Sequence, residues 1–482
     1  MRAPTKFRHK LICLVALALS DLAALFTAFL LGFIVRADLL AGLKPLRGRV
    51  VSLSAQLSSS FLYGAFLVLL IFALEKLFTR RLFFWEETRL LIKSISLTFI
   101  LVMTMVFVSR SEGRSSRAVI VLAWLFSLAL FPFFRLAVKR ILNRAGLRRK
   151  NILIIGTGRA AQRVAAEILK DDGLGYRVAG YLSEEGGNVG ERLAGGFAVI
   201  GTIADLERLA ARSRARDIVI ALSDRLQHRL VQITKQCEPF AESIKIVPPV
   251  GNLFTIGVHV EHLGDVIALS VPRNLSKPWN LAAKRALELA ATGPLFLLLL
   301  PLFALVSAAI LADSRGPLIY SQWRLGRSGG KFRIFKFRSM FADGEARLER
   351  ALERNPGLRA EWEAYQKVRG RDPRVTRVGR FLRKWSLDEL PQLVNVLRGD
   401  MSLVGPRPYM PREADRIGPL SELLSRVKPG ITGLWQVRGR NTLTFEDRLL
   451  LDEYYIRNWS PWLDIVILLK TVTALAKREG AF

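Results

Sequence analysis

The stretch Arg371–Pro408 is RDPRVTRVGRFLRKWSLDELPQLVNVLRGDMSLVGPRP, and it places two adjacent carboxylates, Asp388 and Glu389, among many cations. These cations are Arg374, Arg377, Arg380, Arg383, Lys384, Arg398 and Arg407. Cationic side chains neutralise phosphate oxygens, and arginine does so with paired hydrogen bonds. A carboxylate beside a bound phosphate can attack phosphorus or hold Mg²⁺. The pattern therefore predicts a site that handles phosphate.

Local signals place the carboxylate pair at the start of a helix. Ser386 stands three residues before Glu389, which is the spacing of a capping box. Pro391 lacks a backbone N–H and is best tolerated in a first helical turn. At that position the helix dipole is expected to keep Asp388 ionised. The alternative is that both acids only cap the helix.

A second feature of this stretch is Arg407, which lies between Pro406 and Pro408. Two prolines restrict the backbone on either side of the arginine, and this would pre-organise a phosphate-binding side chain. The alternative for the segment is an ordinary proline and glycine turn.

Three stretches resemble the bacterial sugar transferases, which are polyprenyl-phosphate hexose-1-phosphate transferases, also called monotopic phosphoglycosyl transferases. The stretches are QWRLGRSGGKFRIFKFRSM (322–340), KWSLDELPQLVNVLRGDMSLVGPRP (384–408) and KPGITGLWQVRGRN (428–441). The resemblance covers residues 277–475 in detail. It implies transfer of hexose-1-phosphate from a UDP-hexose, glucose or galactose, to undecaprenyl phosphate, with release of UMP. Such a reaction would initiate exopolysaccharide, capsule or O-antigen synthesis.

The resemblance also implies roles for individual residues. Asp388 would attack the β-phosphate and carry a phosphosugar, and Glu389 would assist through metal or proton handling. Mg²⁺ would be the cofactor, held by Asp388 and Glu389, since it favours one or two carboxylates together with phosphate oxygens. The expected phosphate-binding residues are Arg407, Arg338, Lys336 and Arg324. For the cations between 322 and 340, the alternative is a basic face on anionic lipid.

Composition indicates a membrane protein with soluble parts. The chain has 482 residues, 51% of them hydrophobic, and a net charge of +31. Such a charge fits nucleic acid, anionic lipid or anionic substrates, but apolar spans interleave with the basic runs and disfavour nucleic acid. Cys13 and Cys237 give neither a disulfide framework nor zinc spacing.

Four apolar runs near the N-terminus are each close to the ~20 residues that cross a bilayer. They cover residues 11–35, 53–78, 90–108 and 118–138. Sixteen basic residues flank the ends predicted to be cytoplasmic, against seven in the opposite connections. The protein is thus expected in the bacterial inner membrane with its soluble domains in the cytoplasm. A scaffold or a homodimer contact is the expected role of these helices.

A Rossmann-like α/β domain is predicted after the four runs. Gly156, Gly158 and Ala161 follow a predicted strand and match a dinucleotide fingerprint, and Glu184 stands roughly where a ribose-binding acid would. A lone match of this kind is a weak nucleotide signal. The alternative is a doubly wound domain whose glycines only make the turn.

A fifth apolar run covers Leu289–Ala312 and is interrupted by Pro294 and Pro301. Basic residues flank it on both sides, which predicts a re-entrant helical hairpin with both ends in the cytoplasm. Residues 342–367 are predicted as a solvated helical insertion broken at Pro356. The helix after Trp459 is predicted to be either interfacial or part of a core.

The predicted fold has three parts: a membrane helical bundle (1–145), a Rossmann-like α/β domain (146–270), and a mainly helical, membrane-associated catalytic domain with a re-entrant helix (271–482). Two other classes of function remain open. An NAD-dependent oxidoreductase would rest on Gly156–Ala161, but that domain holds no Tyr-x-x-x-Lys. A non-enzymatic assembly scaffold would leave the motifs from Asp388 to Arg407 without a reason.

Overall fold

The computed structural model of this chain describes residues 3–39, 52–108, 116–184, 186–247, 259–263, 266–270, 274–365, 368, 372–439 and 443–477. The chain divides into two compact units, Met1–Pro249 and Val250–Phe482. The predicted boundaries at residues 145 and 270 stay predictions.

The N-terminal part of the first unit is a helical bundle. Its helices are α1 (Ala3–Ile34), α2 (Leu53–Gln56), α3 (Leu62–Leu74), α4 (Phe84–Val108) and α5 (Arg117–Arg144). Within the described residues, the bundle spans long and apolar enough to cross a membrane are Arg8–Ala37, Phe84–Val108 and Arg117–Arg144. The second predicted run is helical from residue 53 to 74, with a π-helical turn at Leu57–Phe61 between α2 and α3. Five of the seven basic residues counted in the opposite connections lie outside the described residues: Lys44, Arg47, Arg49, Arg110 and Arg114.

A buried ionic network joins α1, α4 and α5. The guanidinium of Arg135 donates to Asp21 (2.7 Å) and to Glu87 (3.1 Å), and the Lys139 ammonium donates to Glu87. All four side chains are buried, and the two cations balance the two anions. An unpaired charge inside a membrane bundle is costly, so each member requires the others.

The network corrects the sequence-based charge count. Arg135 and Lys139, after the fourth apolar run, are two of the sixteen basic residues expected at cytoplasmic ends, but the structure places both inside the bundle with carboxylate partners. Without these two, fourteen basic residues stand against seven. The predicted orientation keeps its direction with a smaller margin.

The remainder of the first unit is a doubly wound α/β fold. Its elements are β1 (Lys150–Ile155), α6 (Arg159–Lys170), β2 (Tyr176–Ser183), β3 (Val199–Thr202), α7 (Leu206–Ser213), β4 (Asp217–Ile220), α8 (Leu230–Cys237) and β5 (Ser243–Ile246). The strands form one parallel sheet in the order β3-β2-β1-β4-β5. Apolar residues fill both faces of the sheet, as helices covering a parallel sheet require. The Rossmann-like prediction is confirmed.

The glycine turn after β1 has a steric explanation. Gly156 has a φ of +117°, and a Cβ there would lie 2.1 Å from the carbonyl oxygen of Ala221. Only glycine permits this approach. Glu184, at the end of β2, accepts hydrogen bonds from the backbone N–H (3.1 Å) and the hydroxyl (3.0 Å) of Ser223. These contacts favour the structural interpretation of the turn, and nucleotide binding at Gly156 and Gly158 stays a prediction.

The second unit combines one long apolar helix with small sheets and many short helices. Its strands are β6 (His259–Leu263), β7 (Val266–Ser270), β8 (Ile319–Leu325), β9 (Lys331–Phe337), β10 (Ser402–Val404) and β11 (Gly430–Thr432). Its helices are α9 (Pro278–Asp313), α10 (Gly344–Arg354), α11 (Pro356–Tyr365), α12 (Arg377–Lys384), α13 (Gln392–Arg398), α14 (Ala414–Ile417), α15 (Leu420–Ser425), α16 (Leu434–Arg438), α17 (Phe445–Arg457) and α18 (Pro461–Lys477). Strands β8 and β9 form an antiparallel hairpin, and β10 pairs with β11 in parallel. The insertion breaks between α10 and α11, as predicted.

Helix α9 is one continuous helix, where a hairpin of two helices was predicted. Pro294 and Pro301 lie inside it. The helix can continue through both, because a proline removes one hydrogen bond and bends a helix without having to end it. Leu297 and Leu298 are 65% and 76% exposed, as expected for a surface that faces lipid. Re-entry of α9 stays a prediction.

Both ends of α9 are bonded to the rest of the second unit. Near its start, the Lys284 ammonium donates to Asp464 at 2.6 Å. At its end, Asp313 accepts from the backbone N–H of Val378 at 2.9 Å. Both ends of α9 are thus attached to the same unit, as the predicted re-entry requires.

Helix α18 satisfies both alternatives offered for it. Ile467 is fully buried and packs in a core with Trp459. Ile465, Leu469 and Val472 recur at helical spacing and are 45%, 51% and 67% exposed. One face of α18 is therefore core, and the opposite face is an apolar surface suited to the membrane interface.

The attachment of both ends of α9 generates a topology prediction. With Cys13 and Cys237 replaced by serine, single cysteines at Ser276 and at Ser328 should both react with a membrane-impermeant maleimide in inverted vesicles. Neither should react in intact spheroplasts. A cysteine at Arg47, in a connection predicted to be periplasmic, is the control that should react in spheroplasts. Reaction of only one of the two flanks from the periplasmic side would show that α9 crosses the membrane.

Candidate active site

The carboxylate pair lies in a tight turn between α12 and α13. Asp388 and Glu389 belong to a 3₁₀ turn, Leu387–Glu389, and Ser386 before it has a φ of +54°. The predicted capping box is wrong, because the Ser386 side chain makes no cap hydrogen bond. Instead, the backbone N–H of Glu389 donates to the Ser386 carbonyl at 3.3 Å. The left-handed conformation of Ser386 reverses the chain and directs Asp388 inward.

Asp388 is a buried carboxyl group with only 9% of its surface exposed. Burial raises the pKa of Asp388, and the neighbouring Glu389 carboxylate raises it further, while Lys336 and Arg383 partly offset both effects. The sequence predicted that a helix dipole would keep Asp388 ionised. The structure corrects this, because α13 starts only at Gln392 and desolvation is the larger effect.

Lys336 is held against the carboxylate pair by strand β9. Its ammonium lies 2.6 Å from the Glu389 carboxylate. The fully buried amide of Asn395 accepts from the backbone N–H of Phe335 (3.0 Å) and donates to the carbonyl of Arg333 (2.8 Å). This side chain connects α13 to β9 and so fixes the position of Lys336 relative to the turn.

Arg383, from α12, is a site residue that the predicted set omitted. Its Nε donates to the Ser339 hydroxyl at 2.9 Å, and its charge favours the ionised form of Asp388. Burial lowers the pKa of Arg383, and the Asp388 carboxylate opposes that shift. The signal was present in the sequence as one cation of the run before Asp388, but nothing distinguished it from its neighbours.

Arg324 and Arg407, predicted separately, lie in one group with Arg448 and Trp435. The guanidinium carbons of Arg407 and Arg448 lie 5.2 Å and 5.5 Å from the Trp435 ring centroid. Arg324 is 9% exposed, and burial followed by the charge of Arg407 lowers its pKa. Within the described residues, none of these arginines has a carboxylate within ion-pair distance. The Glu413 carboxylate acts on Arg324 and Arg448 from beyond ion-pair distance and only partly balances the group, and the remaining positive charge suits binding of an anion.

Asp452, on α17, is bonded to the backbone of the loop that carries Arg407. Its Oδ2 accepts from the backbone N–H of Arg407 (3.0 Å) and from the hydroxyl of Tyr409 (2.9 Å). The side chain is fully buried, and burial raises the pKa of Asp452 to about 7. These bonds hold the backbone of the Pro-Arg-Pro segment and leave the Arg407 guanidinium facing Trp435.

Arg338 follows Lys336 by two residues but has a partner on another element. It is buried, and its guanidinium donates to the carbonyl and the hydroxyl of Ser314 at the C-terminal end of α9. A cation at a helix C-terminus is stabilised by the helix dipole. Arg338 therefore has a structural partner, and phosphate binding by it stays a prediction.

The β8–β9 hairpin links the two groups of residues. Lys336 pairs with Tyr320, and Arg324 follows Tyr320 by four residues along the same strand. Alternation of side chains puts Arg324 and Lys336 on the same face, about 13 Å apart along the strand. An extended anionic substrate can therefore contact both groups.

The donor set is compatible with Mg²⁺. No group of three or more His, Cys, Asp or Glu side chains suited to a metal occurs among the described residues. Asp388 and Glu389 supply two carboxylates, and Mg²⁺ is commonly held by one or two carboxylates with substrate phosphates completing its shell. The residues fit the ion only together with a phosphate ligand.

Comparison with known proteins identifies the class. Residues 279–478 match the family "Bacterial sugar transferase", and residues 84–248 match the family "CoA-binding domain". The chain is 36% identical to "UDP-galactose-lipid carrier transferase" of Erwinia amylovora, over 84% of each chain. It is 32% identical to "Undecaprenyl-phosphate galactose phosphotransferase" of Salmonella typhimurium, again over 84% of each. The chain therefore belongs to the bacterial sugar transferases.

Family membership settles the broad alternatives. The chain is a membrane-associated enzyme of sugar-phosphate transfer, so neither a non-enzymatic scaffold nor an NAD-dependent oxidoreductase describes it. Over 206 residues, it is 41% identical to "Exopolysaccharide production protein ExoY" of Rhizobium meliloti, across 43% of this chain and 91% of that one. A Rex-family repressor structure aligns with a TM-score of only 0.20 and 13% identity, over 42% of this chain and 83% of that chain.

The charge balance at Asp388 predicts a pH effect. Replacement Lys336→Met removes a cation that favours the ionised carboxylate, so the pKa of Asp388 should rise further. If Asp388 is the nucleophile, only its ionised form can attack phosphorus, and activity should rise with pH along the acid limb. The acid limb of the kcat/KM profile should move to higher pH in the variant.

The matched control is Lys384→Met, which removes an exposed cation four residues before Asp388. Its acid limb should coincide with that of the unchanged enzyme. If Lys336→Met lowers activity by the same factor at every pH, Lys336 acts on substrate binding and not on the ionisation of Asp388.

Proposed function

We propose that the enzyme transfers hexose-1-phosphate from a UDP-hexose to undecaprenyl phosphate and releases UMP, by way of a phosphosugar on Asp388. The observation that carries the proposal is the buried Asp388 carboxyl, whose ionised form is favoured by Lys336 and Arg383, together with a second group of arginines around Trp435 that can bind an anion. The names of the relatives from Erwinia amylovora and Salmonella typhimurium support the sugar and the lipid substrates.

In the first half-reaction, a carboxylate oxygen of Asp388 forms a bond to the β-phosphorus of the UDP-hexose. The bond between this phosphorus and the bridging oxygen breaks, and UMP leaves with that oxygen. Lys336 and Arg383 neutralise the negative charge that would otherwise oppose the approach of an anion to the carboxylate. Arg324 and Arg407, on the same side of the β8–β9 hairpin, bind the nucleotide phosphate.

In the second half-reaction, a phosphate oxygen of undecaprenyl phosphate attacks the phosphorus of the adduct. The bond from phosphorus to Asp388 breaks, and the carboxylate is restored as the lipid diphosphate sugar forms. The acceptor is already an anion, so the step requires no general base of unusual pKa.

Asp388 and Glu389 would hold Mg²⁺ together with phosphate oxygens of the substrate. The ion, when bound, would neutralise charge between the two anionic partners. Lys336 lies 2.6 Å from Glu389, so the metal and the lysine would share that carboxylate.

We further propose that the enzyme resides in the bacterial inner membrane and that both soluble parts face the cytoplasm, where nucleotide sugars are made. The exposed leucines of α9 and the apolar face of α18 would place the site at the membrane surface, within reach of a polyprenyl phosphate. Exopolysaccharide, capsule or O-antigen synthesis would use the product. Galactose and glucose are the proposed hexoses, since relatives with each sugar in their names match this chain.

The test is UMP release by the full-length enzyme in lipid nanodiscs, with UDP-galactose, UDP-glucose and undecaprenyl phosphate. Asp388→Asn keeps the size and shape of the side chain but lacks the attacking oxyanion. We expect it to fold and to lose at least about a thousandfold in turnover, a loss typical of removing a group that acts in the transition state. Glu389→Gln should also be strongly impaired.

Asp415→Asn, at an exposed position on α14, is the matched control and should retain normal turnover. Near-normal UMP release by a folded Asp388→Asn enzyme would return this turn to a structural role. Release of UDP instead of UMP would mean that the sugar is transferred without its phosphate, and the proposed reaction would be wrong.

A further inference from the structure

A basic cavity of about 290 Å³ opens beside the first turns of α9, within the second unit. The residues that line it include Leu281, Arg285, Glu288, Arg327, Arg426 and Lys428. The described contacts place it at the far end of α13 from the carboxylate pair. Arg285 donates to the carbonyls of Val396 and Leu397, near the C-terminus of α13, whereas Asp388 precedes its N-terminus.

Some of the cations around this cavity already have partners. Lys284 pairs with Asp464 at 2.6 Å, and Arg426 pairs with Glu422 at 2.6 Å. Glu288 is bonded to the hydroxyl of Ser402 and to Lys284. These groups form a paired wall that adds little net charge.

Arg327 and Lys428, in contrast, have no ion-pair partner among the described residues. Lys428 also lies close to Arg285. The Nη2 atom of Arg285 and the Nζ atom of Lys428 are each 3.4 Å from the position that a Cβ on Gly399 would occupy. These two nitrogens are therefore no further apart than twice that distance. Burial lowers the pKa of Lys428 most, and the charges of Arg285 and Arg327 lower it further, while the carboxylates of Glu288 and Asp400 oppose the shift. Two close cations and a third on the rim make a site for a group with several negatively charged oxygens.

One wall of the cavity belongs to α9, a candidate membrane helix. The exposed residues at the start of α9 therefore indicate the height of the cavity relative to the membrane surface. Trp279, in the first turn of α9, is 85% exposed, and tryptophan is enriched where a membrane meets water. Arg285 follows six residues later, about 9 Å along the helix axis. Leu287, two residues further along the helix, is 58% exposed. These exposures are those expected of a helix start at the level where lipid headgroups meet acyl chains.

We infer that this cavity binds the phosphate of an anionic membrane phospholipid, with Arg285, Arg327 and Lys428 around the phosphate and the acyl chains along α9. The site is separate from the proposed catalytic carboxylates and does not depend on which sugar the enzyme transfers. A bound phosphate would relieve the repulsion between Arg285 and Lys428, and it would stabilise the contact between α9 and α13.

The test uses full-length enzyme in phosphatidylcholine nanodiscs that contain increasing amounts of phosphatidylglycerol. The readouts are the melting temperature and the number of phosphatidylglycerol molecules retained in native mass spectrometry. The unchanged enzyme should show saturable stabilisation and one tightly retained lipid. The double variant Arg327→Gln, Lys428→Gln should bind that lipid more weakly by about fivefold per cation removed, which corresponds to about 1 kcal/mol each.

The matched control, Arg350→Gln with Arg354→Gln, removes two exposed cations from α10 and should behave as the unchanged enzyme. Lys428→Arg keeps the charge and should keep the lipid, which guards against a folding defect in the glutamine variants. Equal stabilisation by millimolar inorganic phosphate in phosphatidylcholine alone would identify a free anion as the ligand and overturn the lipid assignment. Displacement of the retained lipid by one equivalent of undecaprenyl phosphate would overturn it in favour of the acceptor. Unchanged lipid binding in the double variant would show that the cavity is not the site.

Discussion

The energetic constraint at the centre of this enzyme is the burial of one carboxylate directly beside another. Asp388 is almost enclosed, Glu389 is its neighbour in the chain, and both effects disfavour the charged form of Asp388. An attacking carboxylate must nevertheless be ionised and poorly solvated. Lys336 and Arg383 partly offset the effects of burial and of Glu389, because their positive charges favour the ionised form of Asp388.

Two buried polar side chains, Asn395 and Asp452, hold the segments that carry Lys336 and Arg407. Asn395 fixes strand β9, and with it Lys336, against α13. Asp452 holds the backbone of the Arg407 loop from α17 in a similar way. Each is a fully buried polar side chain with backbone partners, and such groups are costly to leave unpaired. The active site is thus positioned by side-chain to backbone bonds between elements far apart in sequence.

The sequence predicted those parts whose signals are local. Alternation of strands with helices gave the parallel sheet, long apolar runs gave the membrane helices, and the motifs around Asp388 and Arg407 gave the class of enzyme. The predicted capping box is wrong, because Ser386 has a left-handed backbone conformation that the spacing of Ser386 and Glu389 does not reveal. Pro294 and Pro301 suggested a hairpin, but a long helix tolerates bends where no other element requires it to end.

Residues that act through distant contacts were not predictable. Asp452 follows Arg407 by 45 residues, and nothing near it in the chain marks it as a support for that loop. Arg448 has the same difficulty, since a single arginine on a helix has many ordinary uses. Trp435 lies in the stretch 428–441, but nothing in that stretch indicated its contact with Arg407. Arg135 and Lys139 resembled a cytoplasmic flank, because their carboxylate partners come from two other helices.

The most direct test of the covalent mechanism is the mass of the intact enzyme after incubation with UDP-hexose in the absence of any lipid acceptor. The account predicts a mass increase equal to one hexose phosphate, located by peptide mapping on the segment that contains Asp388. The adduct should be absent from Asp388→Asn and should disappear when undecaprenyl phosphate is added. Acceptor-dependent turnover without any adduct, or an adduct on a different residue, would contradict it.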